Sequence, residues 1–377
     1  MAREKLRVAV LFGGKSGEHE VSLLSARSVM AAMDPAKYEI IPIGITKSGR
    51  WLTTGDPMAL LSAPQDSELT SGLAAEGADE AQLPMTKDRR ELLPGASHAR
   101  FPKVDVVFPV LHGTFGEDGT VQGLFELADI PYVGAGVLGS ALGLDKAAQK
   151  DILVAHGLPV VDYWVVRRRR WRADPDTVLA EIRVRFQYPL FVKPANMGSS
   201  VGVTKVHGPD ELVAALDIAA RYDRKIVVEA GIDAREIECG VLGNDEPIAS
   251  VPGEVVPSNE FYDYRAKYID GASELYIPAR LDVETQTRIR ELAVKAFLAI
   301  DCAGMARVDF FLDRDTGAIY INELNTIPGF TQISMYPKLW EASGLPYPEL
   351  IDRLIALAIE RHRELRVSET VYDWRQE

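Results

Sequence analysis

The sequence predicts an α/β protein that begins with a doubly wound parallel sheet and continues into two α+β stretches. Three observations predict it. Strand and helix patterns alternate over residues 1 to about 140, the order that builds parallel sheets covered on both faces. Within that region "VDVVFPVL" is an almost unbroken apolar run, as expected of a strand buried on both sides. After Pro159 the pattern changes to strands joined by short Gly or Ser turns. A chain of 377 residues exceeds what one core usually serves, and roughly 150 residues per domain suggests two or three domains.

The elements follow in order. "KLRVAVLFGG" reads as a strand entering a glycine turn, and Arg7 interrupts its apolar run, so no export signal is expected there. "EHEVSLLSARSVMAAM" has apolar residues at helical spacing, and "YEIIPIGIT" is the next strand. From about residue 55 to 98 the composition turns to Ala, Gly, Ser, Pro and charge, a surface excursion. "VDVVFPVLHG", "TVQGLFELADI", "PYVGAG" and "VLGSALGLDKAAQKDILVAHG" then read as strand, helix, strand, helix. Beyond them come the strands "VDYWVV", "PLFVKPA", "VGVTKV" and "KIVVEA", with the helix "PDELVAALDIAARY" among them. The basic block "RRRRWR", residues 167 to 172, reads as a solvated loop in preference to a nucleic-acid or localisation patch. The last stretch, "REIECGVLG", "IASVPGEVV", "GMARVDFFLD" and "AIYINELN", is mostly antiparallel strands closed by helices, and no internal repeat is visible.

Composition narrows the function classes. The net charge of -13 opposes the broad basic surface that non-specific nucleic-acid binding needs. No apolar run approaches the ~18 residues of a membrane helix. Cys239 and Cys302 lie far apart, and the six histidines show no HExxH spacing. That disfavours a disulfide framework or a thiolate zinc site and fits a reducing compartment.

Several stretches carry chemistry. "RDTG" between two apolar runs predicts a hairpin over residues 306 to 325. If Asp309 faces Glu323, Arg307 faces Asn325, and the period of two sets Asp309, Glu323 and Asn325 on one face. Facing carboxylates repel unless a cation or proton lies between them. The group is therefore either a hard-oxygen Mg²⁺ site or a partly solvated strand end. "FVKPANMGSSVGVTKV" sets Gly198, Ser199, Ser200 and Gly202 between two strands, with Lys193 on the first. That is a phosphate cradle on a hairpin or a plain flexible turn.

"GGKSGEHE" is not a P-loop, because Ala9 stands where the first glycine belongs. It does place Glu18 and His19 just past a strand end, as a site acid or as a first-turn acid favoured by the helix dipole. His112 ends a buried strand before Gly113, Gly116 and Gly119, where a ligand is the better explanation than a core. Lys267 and Tyr268 lie in "SNEFYDYRAKYIDGASELYIP", a lid or an irregular loop.

Taken together and in order, "GGKSGEHEVS", "LHGTFGEDGTVQG", "DKAAQKDIL", "KPANMGSSVGV", "YDYRAKY", "RVDFF" and "NELNTIPGFTQISMYP" resemble the D-alanine–D-alanine ligase family of ATP-grasp enzymes over nearly the whole chain. The resemblance implies three domains: residues 1–140 for substrate, 141–228 for the phosphate loop, and 229–377 for the metal and the lid. ATP would be clamped between the second and third. It implies ATP contacts from Lys146, Lys193 and Ser200, with the Ser199 to Gly202 loop folding over the phosphates, and adenine on the backbone of Glu229, Ala230 and Ile232 under Phe261. Glu236 would meet the ribose, and two Mg²⁺ ions, replaceable by Mn²⁺, would sit on Asp309, Glu323 and Asn325.

Glu18 would hold the first D-alanine's ammonium, with His112 nearby. Ser199 and Tyr268 would close the site, Arg307 and the Gly329 N–H would meet an oxyanion, and Lys267 and Ser334 would receive the second carboxylate. The implied reaction joins two D-alanines through an acyl phosphate for peptidoglycan precursor synthesis, in the cytoplasm, by a homodimer with no nucleic-acid or membrane partner. Ala230 departs from the lysine of many relatives, Asn196 and Met197 are one of several family variants, and Tyr268 favours peptide over ester formation. The alternatives are a D-alanine–D-lactate ligase, another ATP-grasp carboxylate–amine ligase, or a nucleotide-binding regulator without the chemistry. A nicotinamide enzyme lacks its glycine fingerprint here.

Overall fold

The computed structural model describes residues 4–62, 103–256 and 274–369. Strands β1 (Leu6–Gly13), β2 (Tyr38–Ile45), β3 (Trp51–Leu52) and β4 (Val106–Val110) form a sheet of order β3-β2-β1-β4, with β1 parallel to both β2 and β4. Period two decides which way β1 faces. Val8, Val10 and Phe12 enter one core and Ala9 and Leu11 another, so the strand is covered on both sides. Helix α1 (His19–Ala32) covers the first face together with the chain's last helix, as described below. Helix α2 (Pro57–Ser62) follows β3.

Beyond β4 come α3 (Thr120–Leu127), α4 (Val137–Leu144) and α5 (Lys146–Ala155). Two expectations change here. "PYVGAG" makes only a bridge between Val107 and Tyr132, because Gly134, at φ 99°, turns the chain away after one pairing. The single long helix is two: Asp145 is extended and its side chain accepts from the Ala148 N–H, capping a new helix whose first residue is Lys146.

The second sheet, β5-β8-β6-β7, is antiparallel and comprises β5 (Tyr163–Arg167), β6 (Leu190–Pro194), β7 (Thr204–Val206) and β8 (Lys225–Ala230). Strand β7 is shorter than "VGVTKV" suggests, since Ser199, Ser200 and Gly202 all take positive φ and keep the preceding segment as turns. The "RRRRWR" block is not a loop but α6 (Arg168–Ala173), followed by α7 (Pro175–Arg185). Arg169, Arg170 and Arg172 are exposed and the half-buried Arg168 donates to the Ala220 carbonyl at 3.2 Å, while Trp171 is buried and donates to Asp217 on α8 (Pro209–Tyr222) at 2.8 Å.

The third sheet, β12-β11-β9-β13-β14 with β10 on β9, holds β9 (Ala234–Gly243), β10 (Ile248–Ala249), β11 (Gly253–Val256), β12 (Glu274–Tyr276), β13 (Gly304–Asp313) and β14 (Ile319–Asn325). Helix α9 (Val283–Ala299) packs on it, and α10 (Met335–Ala342) and α11 (Tyr347–Leu365) follow. Helix α11 crosses back to the first sheet, and its Leu350, Ile351, Leu354 and Ile355 share a core with Val8, Val10 and Phe12. Among the described residues no helix is long and apolar enough to cross a membrane.

Candidate functional site

The β13–β14 hairpin forms in the expected register, Arg307 opposite Asn325 and Asp309 opposite Glu323. A bulge directly after Asp309 then shifts the pairing, so Phe310 meets Ile321. Such bulges re-aim side chains at strand ends. The carboxylates are held by cations. Arg307 donates from Nε and Nη2 to both Asp309 oxygens at 2.7 Å, and its Nε lies 3.0 Å from Glu238 Oε2. Lys146 Nζ stands 3.2 Å from Glu323 Oε2, and Asn325 Nδ2 donates to Asp309 Oδ2 at 2.9 Å.

These groups line one cleft of about 840 Å³ together with Glu18, His112, Lys193, Ser199, Ser200, Glu229, Ala230, Ile232, Glu236, Gly329 and Ser334. Strands of the second and third sheets contribute to it, and the N-terminal region adds Glu18, beside the start of α1, and His112, just past β4. Phe261, Lys267 and Tyr268 lie outside the described residues.

The loop after β6 reaches across to α1. Ser199 and Ser200 hold left-handed φ of 48° and 59°, a conformation unfavourable for residues with a Cβ. The Ser199 hydroxyl donates to Glu18 Oε1, and a Cβ on Gly198 would come within 2.7 Å of Glu18 Oε2. Gly113 is constrained the same way, at 2.8 Å from that oxygen. Two glycines thus let two loops close around one carboxylate.

Behind the loop, Lys193 Nζ donates to Glu229 Oε2 at 2.6 Å, and Lys146 Nζ donates to the Met197 carbonyl at 2.9 Å. Burial alone would lower the Lys146 pKa, but Glu323, then Glu229 and Glu117, raise it above the ordinary lysine value, so its ammonium is charged. Glu229 is fully buried, yet Lys150 and Lys193 hold its carboxyl below the usual range.

His112 is buried, which lowers its pKa against the opposing pull of Glu18. Its Nδ1 lies 2.9 Å from the Ile327 carbonyl, which can only accept, so the proton sits on Nδ1. Ile327 begins the turn whose Gly329 faces Ser334, where an added Cβ would meet Oγ at 3.2 Å. Along β8 and beyond, Ala230 and Gly231 spend their N–H groups on Asp162 and Pro189 carbonyls, and Glu236 pairs in register with Phe311 and Val255.

Three residues, two in this site and one behind it, escape the sequence reading. Glu117 accepts from the Gly113 N–H at 2.8 Å, and its carboxyl is pushed up to about 8 by burial and by Glu18. Lys150 joins Glu229 from behind, and Glu238 steadies Arg307. Only Lys150 had a signal, its spacing of four from Lys146 on a helix face.

A cation fits the hairpin end by its chemistry. Asp309 and Glu323 supply facing carboxylate oxygens, and the bond from Asn325 Nδ2 leaves its carbonyl oxygen available to a cation. Among the described residues there is no cluster of three or more His, Cys, Asp or Glu side chains able to hold a metal. A donor set of two carboxylates and an amide suits Mg²⁺, which completes its shell with water and phosphate oxygens.

Comparison with known proteins matches the family profile described as D-ala D-ala ligase N-terminus to residues 7–135 and that described as D-ala D-ala ligase C-terminus to residues 152–356. The D-alanine--D-alanine ligase of Ruminiclostridium cellulolyticum is 54% identical over 369 residues, 96% of this chain and 97% of that protein. The D-alanine-D-alanine ligase structure from Coxiella burnetii superposes with a TM-score of 0.79 at 39% identity, covering 97% of each chain. The VanG D-Ala:D-Ser ligase of Enterococcus faecalis gives 0.77 at 39% identity, covering 94% of this chain and 100% of that one.

Proposed function

The chain belongs to the D-alanine–D-alanine ligase family, and from that premise we propose that its cleft joins two D-alanines with ATP through an acyl phosphate. One observation supports this best: a paired-carboxylate hairpin, a lysine-backed serine loop and the enclosed Glu18 carboxylate all line one cleft. Nucleotide binding alone would need the first two and not the third.

The first step forms a bond between the first D-alanine's carboxylate oxygen and the γ-phosphorus and breaks the β,γ-bridging P–O bond, releasing ADP. In this reading Lys146 and Lys193 hold the phosphates under the Ser199–Ser200 loop, with adenine along Glu229 to Ile232 and the ribose at Glu236. Glu18 holds the ammonium of the first D-alanine, while neutral His112 fixes the Ile327 carbonyl and so the turn carrying Gly329. Asp309, Glu323 and Asn325 would hold Mg²⁺, which supplies charge neutralisation on the phosphates when bound.

In the second step the amine of the second D-alanine forms the C–N bond and loses a proton, and inorganic phosphate leaves. The tetrahedral oxyanion between these events is met by Arg307 and the Gly329 N–H. Arg307 is fit for that task because Asp309 and Glu238 fix its planar fork beforehand. Lys267 and Ser334 receive the second carboxylate, and Tyr268 joins Ser199 and Glu18 in closing the site. The three-domain division at residues 140 and 228, the homodimer, the two metal ions with Mn²⁺ as substitute, and the cytoplasmic place in peptidoglycan precursor synthesis belong to the same proposal. So does the expectation of no nucleic-acid or membrane partner.

The likeness to a D-Ala:D-Ser ligase at the same 39% identity makes the second substrate the point to test. ADP release measured with D-alanine alone, and with D-alanine plus D-serine or D-lactate, with products identified by mass, decides it. Preferential D-alanyl-D-alanine supports the reading. A dominant mixed dipeptide or ester overturns it.

A further inference from the structure

Glu229 is a buried carboxylate with two lysines, and only one of them lines the cleft. Lys193 enters along β6 and donates to Oε2 at 2.6 Å, while its side chain reaches the cleft wall. Lys150 comes from α5 on the other side, is 1% exposed, and does not line the cleft. Its Nζ lies 3.3 Å from Glu229 Oε1 and donates to the Asn322 carbonyl at 3.3 Å. A buried ammonium is costly unless a carboxylate balances it, and Glu229 is the carboxylate within ion-pair distance. Its neighbour Gln149 ties the same helix to β14 at both polar groups of Leu324, so α5 carries Lys150 on a fixed base.

We propose that Lys150 is the permanent counter-ion of Glu229 and thereby a positioning residue for Lys193, which it frees to leave the carboxylate for an ATP phosphate. This rests on the reading of Lys193 as a phosphate ligand. With both lysines present, Lys193 can turn to a phosphate and leave Glu229 still paired. Without Lys150 the same movement leaves a buried carboxylate with no cation at ion-pair distance, so nucleotide binding must offset the cost of that weakly balanced charge.

The experiment measures D-alanine-dependent ADP release and ADP affinity by calorimetry for the wild type, Lys150→Met, Lys150→Arg and the double variant Lys150→Met/Glu229→Gln. The expected result for Lys150→Met is a rise of about tenfold or more in KM for ATP and in the ADP Kd. KM for D-alanine should stay within about twofold and kcat within about threefold. Lys150→Arg should recover most of the affinity by restoring charge. The double variant should recover it too, because the neutral amide that replaces the Glu229 carboxylate no longer retains Lys193. An unchanged ATP KM in Lys150→Met, equal losses in every parameter, or a double variant as weak as the single overturns the proposal. If Lys150→Met fails to fold, Lys150→Arg and the double variant carry the same test, and weak nucleotide binding in both overturns it. A wild type that releases no ADP with D-alanine would instead defeat the ligase reading.

Discussion

Glu18 shows how a residue's role depends on partners that are distant in sequence. Beside a helix start it reads as a first-turn acid, and its hydrogen-bond partner Ser199 is 181 positions away. Glu117 is invisible for the same reason: nothing local announces that its half-buried carboxyl shares the cleft with Glu18. Asp309 and Glu323 were legible because a hairpin turn sets their pairing within a few residues.

At this scale Arg307→Ala should lower kcat by about 10²- to 10³-fold while leaving ATP affinity nearly intact, as removal of an oxyanion donor does. Steady-state kinetics with nucleotide titration checks it. Glu323→Ala should lower turnover by about 100-fold or more and raise the Mg²⁺ concentration needed for half-maximal activity. Glu117 adds a pH dependence whose sign follows from its raised pKa. Between the ordinary 4.5 and about 8 the folded protein keeps a proton that the unfolded chain has lost, so stability falls as pH rises through that window. Glu117→Gln should remove that slope. Denaturant midpoints of the two proteins at about pH 5 and about pH 8.5 should move in the variant's favour at the higher pH.

Elements were most legible where hydrophobic period alone decides them. Strand β4 and β1 from Val8 to Phe12 are such cases, continuous apolar runs that the parallel sheet buries. The errors fall where one residue outweighs the pattern. Four arginines in a row masked Trp171, whose burial turns a charged block into α6. Asp145 splits an apolar helical run because its side chain caps the next helix, which fixes Lys146 and Lys150 on one face of α5. Trp171→Ala should destabilise the protein by about 3–5 kcal/mol in chemical denaturation, the usual cost of emptying a buried aromatic site.

Across the whole molecule, the three sheet regions could be read from the order of strands and helices, but the way they meet could not. The sequence contains no local sign that α11 returns to the first sheet, because that contact joins it to β4, more than two hundred residues earlier. Nor does it show that the β6 loop, the α1 start and the β13–β14 hairpin converge, which is what turns three ambiguous motifs into one cleft. The central claim is that this convergence serves peptide ligation, and its most direct test is ADP release by the full chain with Mg²⁺ and ATP, with and without D-alanine, the product identified by mass. The account predicts release that depends on D-alanine and yields D-alanyl-D-alanine. Tight ATP binding with no D-alanine-dependent ADP would contradict it.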